Sequence, residues 1–324
     1  MRAPEFWHAS SKTGRMLSPL SVLWRAGAAL RNCGAGSPWK ASVPVLCIGN
    51  LTAGGAGKTP LAIDLTRALL VKGYRPNLLS RGYGGTLQGP ILVDPNIHSA
   101  SEVGDEPLLL AETAPTWVSR DRIAGVTQAV KNDANIIVMD DGFQNPAIAK
   151  TLSILTIDGG YGFGNGRVIP AGPLRETIAS GLARCDAVVI IGEDQRGLTQ
   201  EIDNACPIYR ARIVTYPDPE MAGQKVVAFA GIARPSKFYS TLQELGCEIV
   251  GTQDFPDHHK FDPDEVIKIC DHAYQLGAIP VTTQKDYVRL PDEARALIKT
   301  IRISLEWEDA NAHERLLEKL YVDG

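Results

Sequence analysis

The sequence is most restrictive in what it lacks. Its six cysteines, at 33, 47, 185, 206, 247 and 270, form no Cys-x-x-Cys pair and no zinc-finger spacing. That excludes a metal-ribbon framework and makes reduced thiols in a cytosolic compartment the expectation. No apolar run approaches the ~20 residues that a membrane-spanning helix needs, because Arg25 interrupts the N-terminal apolar segment. That segment starts late, is broken by charge and leads straight into an apolar strand without a convincing cleavage site, so no signal peptide is expected. No internal repeat of short period is present, and nothing points to nucleic acid or to an obligate protein partner.

What is present is a chain of 324 residues, 44% hydrophobic, long enough for a large core and two domains. Continuous apolar runs at 45–48, 76–79, 117–118, 136–139, 152–157 and 187–191 alternate with helical patterns. Runs of this kind are buried on both faces, which predicts a mostly parallel α/β sheet. A second start at 226–231, followed by helical patterns around further apolar runs at 248–250 and 278–283, predicts a smaller α/β unit. Proline and charge crowd together in Tyr216-Pro217-Asp218-Pro219-Glu220, where a linker is expected. The organisation read from this is a basic amphipathic segment at 1–44, a nucleotide-binding and catalytic domain at 45–215, a linker at 216–225 and a smaller domain at 226–324.

The first segment is unlike the rest. Six basic residues against Glu5 alone leave +5 over residues 1–44 and, with a net charge of −4 overall, −9 over the remainder. Phe6, Trp7, Met16, Leu17, Leu20, Leu23 and Trp24 stand among these charges. Two readings are open: a helix lying on an anionic membrane surface, or a helix packed on the protein's own core.

Between the run Val45-Leu46-Cys47-Ile48 and a helical pattern at Leu61, Leu65 and Leu69 stands the loop Thr52-Ala53-Gly54-Gly55-Ala56-Gly57-Lys58-Thr59, closed by Pro60. Proline is tolerated in a first helical turn, where its missing N–H has no intrahelical partner. Strand, glycine loop and helix N-terminus make an anion cradle, the P-loop arrangement. Lys58 is then expected to reach the outer phosphates and Thr59 to ligate Mg2+. Thr52 departs from the GxxxxGK[ST] pattern, which wants glycine there.

A P-loop requires a strand-end acid, and Ile136-Ile137-Val138-Met139-Asp140-Asp141 supplies two. Adjacent carboxylates are costly unless a cation sits with them. Asp105, in Gly104-Asp105-Glu106-Pro107 before the run Leu108-Leu109-Leu110, is either a helix cap or a proton acceptor. His258 and His259 are adjacent; on an extended segment only one could enter a cleft. Arg81, Arg120, Arg122 and Arg175 lie in loops where guanidinium groups could clamp phosphate. Thr283-Gln284-Lys285-Asp286 does not match the guanine-reading NKxD pattern, so adenine is favoured by elimination.

Taken together, GNLTAGGAGKTP, SRGYGG, VGDEPLLLA, DDGFQN, PAGPLRE, FAGIARPSKF, FPDHHKF and TTQKDYVRL, in this order from about residue 15 to residue 290, resemble the tetraacyldisaccharide 4'-kinase family. The Thr52 departure is itself similar to the family's pattern. The resemblance implies a P-loop NTPase-like α/β/α sandwich and a second, smaller α/β/α domain joined by a short β linker. It implies ATP- and Mg2+-dependent phosphorylation of the 4'-hydroxyl of an acylated glucosamine disaccharide 1-phosphate, at the cytoplasmic face of a Gram-negative inner membrane. It also implies roles for residues: Asp105 as base, paired with a histidine of the DHH block, for which His259 is taken; Asp140 and Asp141 as the metal-site acids, with Gln144 nearby. Arg81, Arg122, Arg175, Glu176 and His258 are the candidate substrate contacts. The rival from another class is a nucleotide-dependent switch or metallochaperone, which needs no acceptor base.

Overall fold

The structure is a computed structural model that describes residues 4–9, 11–33, 36–202, 205–216, 218 and 220–321. Each apolar run becomes a strand, and further strands form outside the runs: β1 (Val45–Gly49), β2 (Pro76–Ser80), β3 (Ile91–Leu92), β4 (Thr116–Val118), β5 (Ile136–Asp140), β6 (Leu152–Asp158), β7 (Ala187–Ile191), β8 (Ile208–Thr215) and β9 (Lys225–Ala230). β10 (Glu248–Asp254), β11 (Ile279–Thr283), β12 (Lys299–Ile301) and β13 (Ile303–Trp307) complete the set, of which β3, β8, β12 and β13 form where no run was read. A large sheet has the order β13-β8-β7-β6-β1-β5-β2-β4-β3, and a small one the order β10-β9-β11-β12. Only β3 and β13 run antiparallel to their neighbours. The β1, β2, β5, β6 and β7 residues are buried throughout, because helices cover both faces. Leu61, Leu65 and Leu69 of the helix Lys58–Val71 fill one face; Val126 and Ala129 of the helix Arg122–Lys131 fill the other.

The small sheet is built the same way, with Phe238 and Leu242 of the helix Pro235–Glu244 on one face and Val266, Ile269 and Ala273 of the helix Pro263–Gln275 on the other. Its extent corrects the expected boundary. β13 leaves the small domain and pairs with β8, from Ile303 opposite Thr215 to Trp307 opposite Ala211. The helix Ala312–Tyr321 then buries Leu316, Leu317 and Leu320 beside Leu61 and Leu65. Without β13, β8 would present an unpaired edge. The small domain is therefore confined to about residues 225–301, and the chain crosses between domains twice, at 216–224 and at Arg302. The two crossings touch: the Tyr216 amide donates to the Arg302 carbonyl at 3.1 Å.

The N-terminal helix Lys12–Cys33 divides between its two readings. Gly14 and Ser21 face the protein and are buried, the Ser21 hydroxyl donating to the Val168 carbonyl at 2.6 Å. Its large apolar residues face outward, Met16 at 80% exposure and Leu23 at 69%. Among the described residues, no helix is long and apolar enough to cross a membrane.

Candidate active site

The loop after β1 is braced from both sides. Thr52 pairs in an isolated antiparallel bridge with Leu174, and the Ala53 amide donates to the Pro173 carbonyl at 2.7 Å. Backbone at Thr52 is thus held by strand-like pairing, in which a β-branched residue fits and glycine is not needed. Gly57 is needed as glycine: its φ is +82°, and an added Cβ would stand 2.4 Å from Ile191 Cδ1. Asn50, fully buried, closes the loop by donating to the Gly54 carbonyl at 3.1 Å and accepting from Lys58 Nζ at 3.4 Å. Among the described residues, none of the amides from Gly54 to Thr59 donates a hydrogen bond. They crown a helix N-terminus, and a polyphosphate would satisfy them.

Asp140, 1% exposed at the end of β5, accepts from the Thr59 hydroxyl at 3.2 Å through Oδ2, while its buried Oδ1 has no partner. Burial first, and then the nearby Glu106 charge, push its carboxyl up to about 7, against the pull of Lys58. A hydroxyl beside a half-satisfied buried carboxylate fits a magnesium ion completed by phosphate oxygens and water. No closed cage of three or more His, Cys, Asp or Glu side chains occurs among the described residues.

The other two expected metal-site residues have side-chain partners in this structure. Asp141, at φ +53°, takes a two-pronged contact from Arg175 at 2.7 and 3.2 Å. Burial would raise its carboxyl, but Lys58 and Arg175 outweigh this and hold it low. Gln144 donates to the Asn50 carbonyl and Glu176, and accepts from Arg175. None of its hydrogen bonds reaches Thr59 or Asp140; its amide braces the loop and Arg175. Glu176 is paired with Arg184. Arg81 is exposed, whereas Arg122 is 4% exposed with Nη1 unpartnered, and burial lowers its guanidinium to about 10.

The second half of the site crosses the domain interface. Asp105 begins the helix Asp105–Ala111 and is 4% exposed. Its Oδ2 lies 3.0 Å from His258 Nδ1, 3.0 Å from Arg289 Nε and 3.9 Å from Lys285 Nζ, all three from the small domain. The Arg289 contact is an ion pair rather than an aligned hydrogen bond. Burial would lift the Asp105 carboxyl; the His258 hydrogen bond and the Lys285 and Arg289 charges prevail and hold it far below the ordinary carboxylate range.

His259, the expected partner, does not meet Asp105. The segment turns at Asp257-His258, with φ +60° at His258, instead of running extended. His259 is directed inward, stacked on Phe255 at 4.6 Å between centroids and bonded to Glu265 at 2.9 Å. His258 is left facing Asp105, with Tyr83 edge-on at 5.5 Å. A cleft of about 400 Å3 opens beside the pair, lined by Tyr83, Ile97, Lys260, Phe261 and Arg295 among others.

A nucleotide cradle and a buried acid–histidine pair on one molecule can be set against known proteins. The profile of the family described as tetraacyldisaccharide-1-P 4'-kinase matches residues 13–321. The chain belongs to this family. It is 51% identical to the tetraacyldisaccharide 4'-kinase of Rhodospirillum centenum, over 99% of this chain and 97% of that one. The Rhodospirillum rubrum protein of the same name is 48% identical, over 99% and 98%. The crystal structure of Aquifex aeolicus LpxK in complex with ATP superposes with a TM-score of 0.77, at 27% identity over 95% of this chain and 99% of that one. The protein is thus a kinase of P-loop NTPase-like α/β architecture.

Five site residues had no role in the reading of the sequence. Asn50 precedes the loop; Lys285 and Arg289 stand in the TTQKDYVRL block; Asp158 and Arg234 meet across the domains at 2.7 Å. Asp158, a lone acid ending an apolar run, was the one legible signal.

Proposed function

We infer that the protein transfers the γ-phosphate of ATP to the 4'-hydroxyl of a tetraacylated glucosamine disaccharide 1-phosphate, a step of lipid A biosynthesis at the cytoplasmic face of the Gram-negative inner membrane. The observation that carries this reading is the Asp105–His258 pair at 3.0 Å beside a cleft. A switch or metallochaperone needs no such base. The free amides of 54–59 and Lys58 would cradle the triphosphate. Thr59 and Asp140 would hold Mg2+, which neutralises charge on the transferring group when bound.

Asp105 accepts the acceptor's proton late, since its depressed pKa makes it a weak base in the ground state, and His258 Nδ1 is placed to share that proton. Of the candidate arginines, Arg122 has an unpartnered buried Nη1 free for a phosphate oxygen; Arg81 is exposed and open to the acceptor, and Arg175 is held by Asp141. The outward apolar face of the helix Lys12–Cys33, with Lys12, Arg15 and Arg25 among its exposed residues, suits an anionic bilayer in which the acceptor's acyl chains reside.

The test is incubation of the full chain with γ-labelled ATP, Mg2+ and the disaccharide lipid. Label is expected in the lipid fraction. Lipid-independent ATP hydrolysis with no labelled lipid would sink the reading and favour the switch.

A further inference from the structure

Among the described residues, Arg234 is the small-domain side chain that hydrogen-bonds the nucleotide loop. Arg234, preceding the helix Pro235–Glu244, donates through Nη2 to the Gly55 carbonyl at 2.9 Å and to Asp158 Oδ2 at 2.7 Å. Its guanidinium lies over the Tyr161 ring at 5.4 Å. Lys237, one turn on, shares Asp158 but makes no hydrogen bond or ion pair with the loop. Asp158 is itself fixed, its Oδ1 accepting from the Gly160 and Tyr161 amides.

The Gly55 carbonyl and the Ala56 amide belong to one planar trans peptide and therefore point in opposite directions. Holding that carbonyl outward turns the Ala56 N–H inward. Ala56 is 3% exposed, and its amide donates no hydrogen bond among the described residues. The two glycines before Ala56 stand in open space, where a Cβ at Gly54 or Gly55 would meet no atom within 4 Å. Two adjacent glycines give the loop freedom to misdirect its own donor, and the guanidinium removes that freedom.

We propose that Arg234 is a positioning residue for ATP: from the small domain it fixes the Gly55–Ala56 peptide so that the Ala56 amide faces the triphosphate. The same loop begins at Gly231, whose carbonyl accepts from the His258 amide and from Arg289, so one short segment ties the base pair to the phosphate cradle. The inference rests on the loop 52–59 being the ATP site.

The test is binding of a fluorescent ATP analogue with Mg2+ to the full chain, together with separate KM values for ATP and for lipid. Arg234→Ala is expected to weaken nucleotide binding and raise KM for ATP about tenfold, while KM for lipid stays within twofold. Lys237→Ala, which loses an Asp158 contact without touching the loop, is expected to stay within twofold of wild type throughout. Should Arg234→Ala fail to fold, Arg234→Gln, too short to reach Gly55 from the same backbone, carries the same expectation. Nucleotide affinity within twofold of wild type in the folded Arg234 variant overturns the proposal. So does an equal loss in Lys237→Ala, which would make Arg234 a domain strap only. Failure of the wild-type protein to bind the analogue would instead overturn the assignment of the loop.

Discussion

Asp105 and Asp140 are both buried carboxylates, at 4% and 1% exposure, yet they titrate in opposite directions. Asp140 faces Thr59 with one oxygen and nothing with the other, and burial raises it. Asp105 is met by His258, Lys285 and Arg289 and is held low. The difference separates the two halves of the site. Thr59 and Asp140 both belong to the large domain, although Arg234 of the small domain touches the same loop at the Gly55 carbonyl; the cations around Asp105 all arrive from the small domain. Asp140 leaves one buried oxygen without a partner, whereas Asp105 is compensated through domain contact.

The comparison can be broken first at the base. If Asp105 and His258 act as a unit, as proposed, Asp105→Asn and His258→Ala should each lower kcat by about 10²–10⁴-fold, and the double variant should be little worse than either. His259→Ala should instead lower the melting temperature, through loss of the Phe255 stack and the Glu265 bond, with kcat in the folded fraction close to wild type. A large kcat loss in His259→Ala with stability intact would return the role to that histidine.

On the phosphate side, Lys58→Ala should reduce turnover by about 10²–10³-fold at saturating ATP without loss of fold, since it removes charge from the transition state rather than a packing contact. Retention of most wild-type turnover would detach the loop from the chemistry.

A smaller effect is expected away from both halves. Replacing Leu20, Leu23 and Trp24 with serine should release the protein from anionic vesicles and raise apparent KM for membrane-presented lipid severalfold, leaving kcat for detergent-dispersed lipid nearly unchanged. Trp24 also donates through Nε1 to the Arg175 carbonyl at 3.0 Å, so a modest fall in melting temperature is expected to accompany release. Retained vesicle binding with a large fall in melting temperature would assign the face to packing.

The smallest effect sharpens the opposite titrations. Asp140 has a folded pKa above its unfolded value, so between about pH 4 and 7 the native state binds the extra proton and stability falls as pH rises. Without nucleotide or Mg2+, Asp140→Asn should therefore raise the melting temperature at pH 8 by about 2–4 °C, and the gain should vanish near pH 4. Asp105 has the reverse sign: its stabilisation is present above about pH 4 and is lost in more acid solution. Thermal scans across pH measure both, and a gain for Asp140→Asn that persists at pH 4 would contradict the assignment.

The sequence by itself determined the strands buried on both faces, the glycine loop with Lys58 and Thr59, and the acid at the end of β5. Each is local: a run of apolar residues, a spacing, a strand terminus. Asp105 was legible as a choice between cap and base because its neighbours along the chain define a helix start. Which histidine meets it was not legible, since a turn with φ +60° at His258 reverses the alternation that an extended segment would impose. Nor were Lys285 and Arg289 as partners of Asp105, or the return of β13 to β8, for each joins segments far apart in sequence whose register is set by how two sheets pack. Only the tertiary structure could bring three small-domain side chains onto one large-domain carboxylate, because the charges that compensate a buried acid need to be near it in space and have no reason to be near it in the chain.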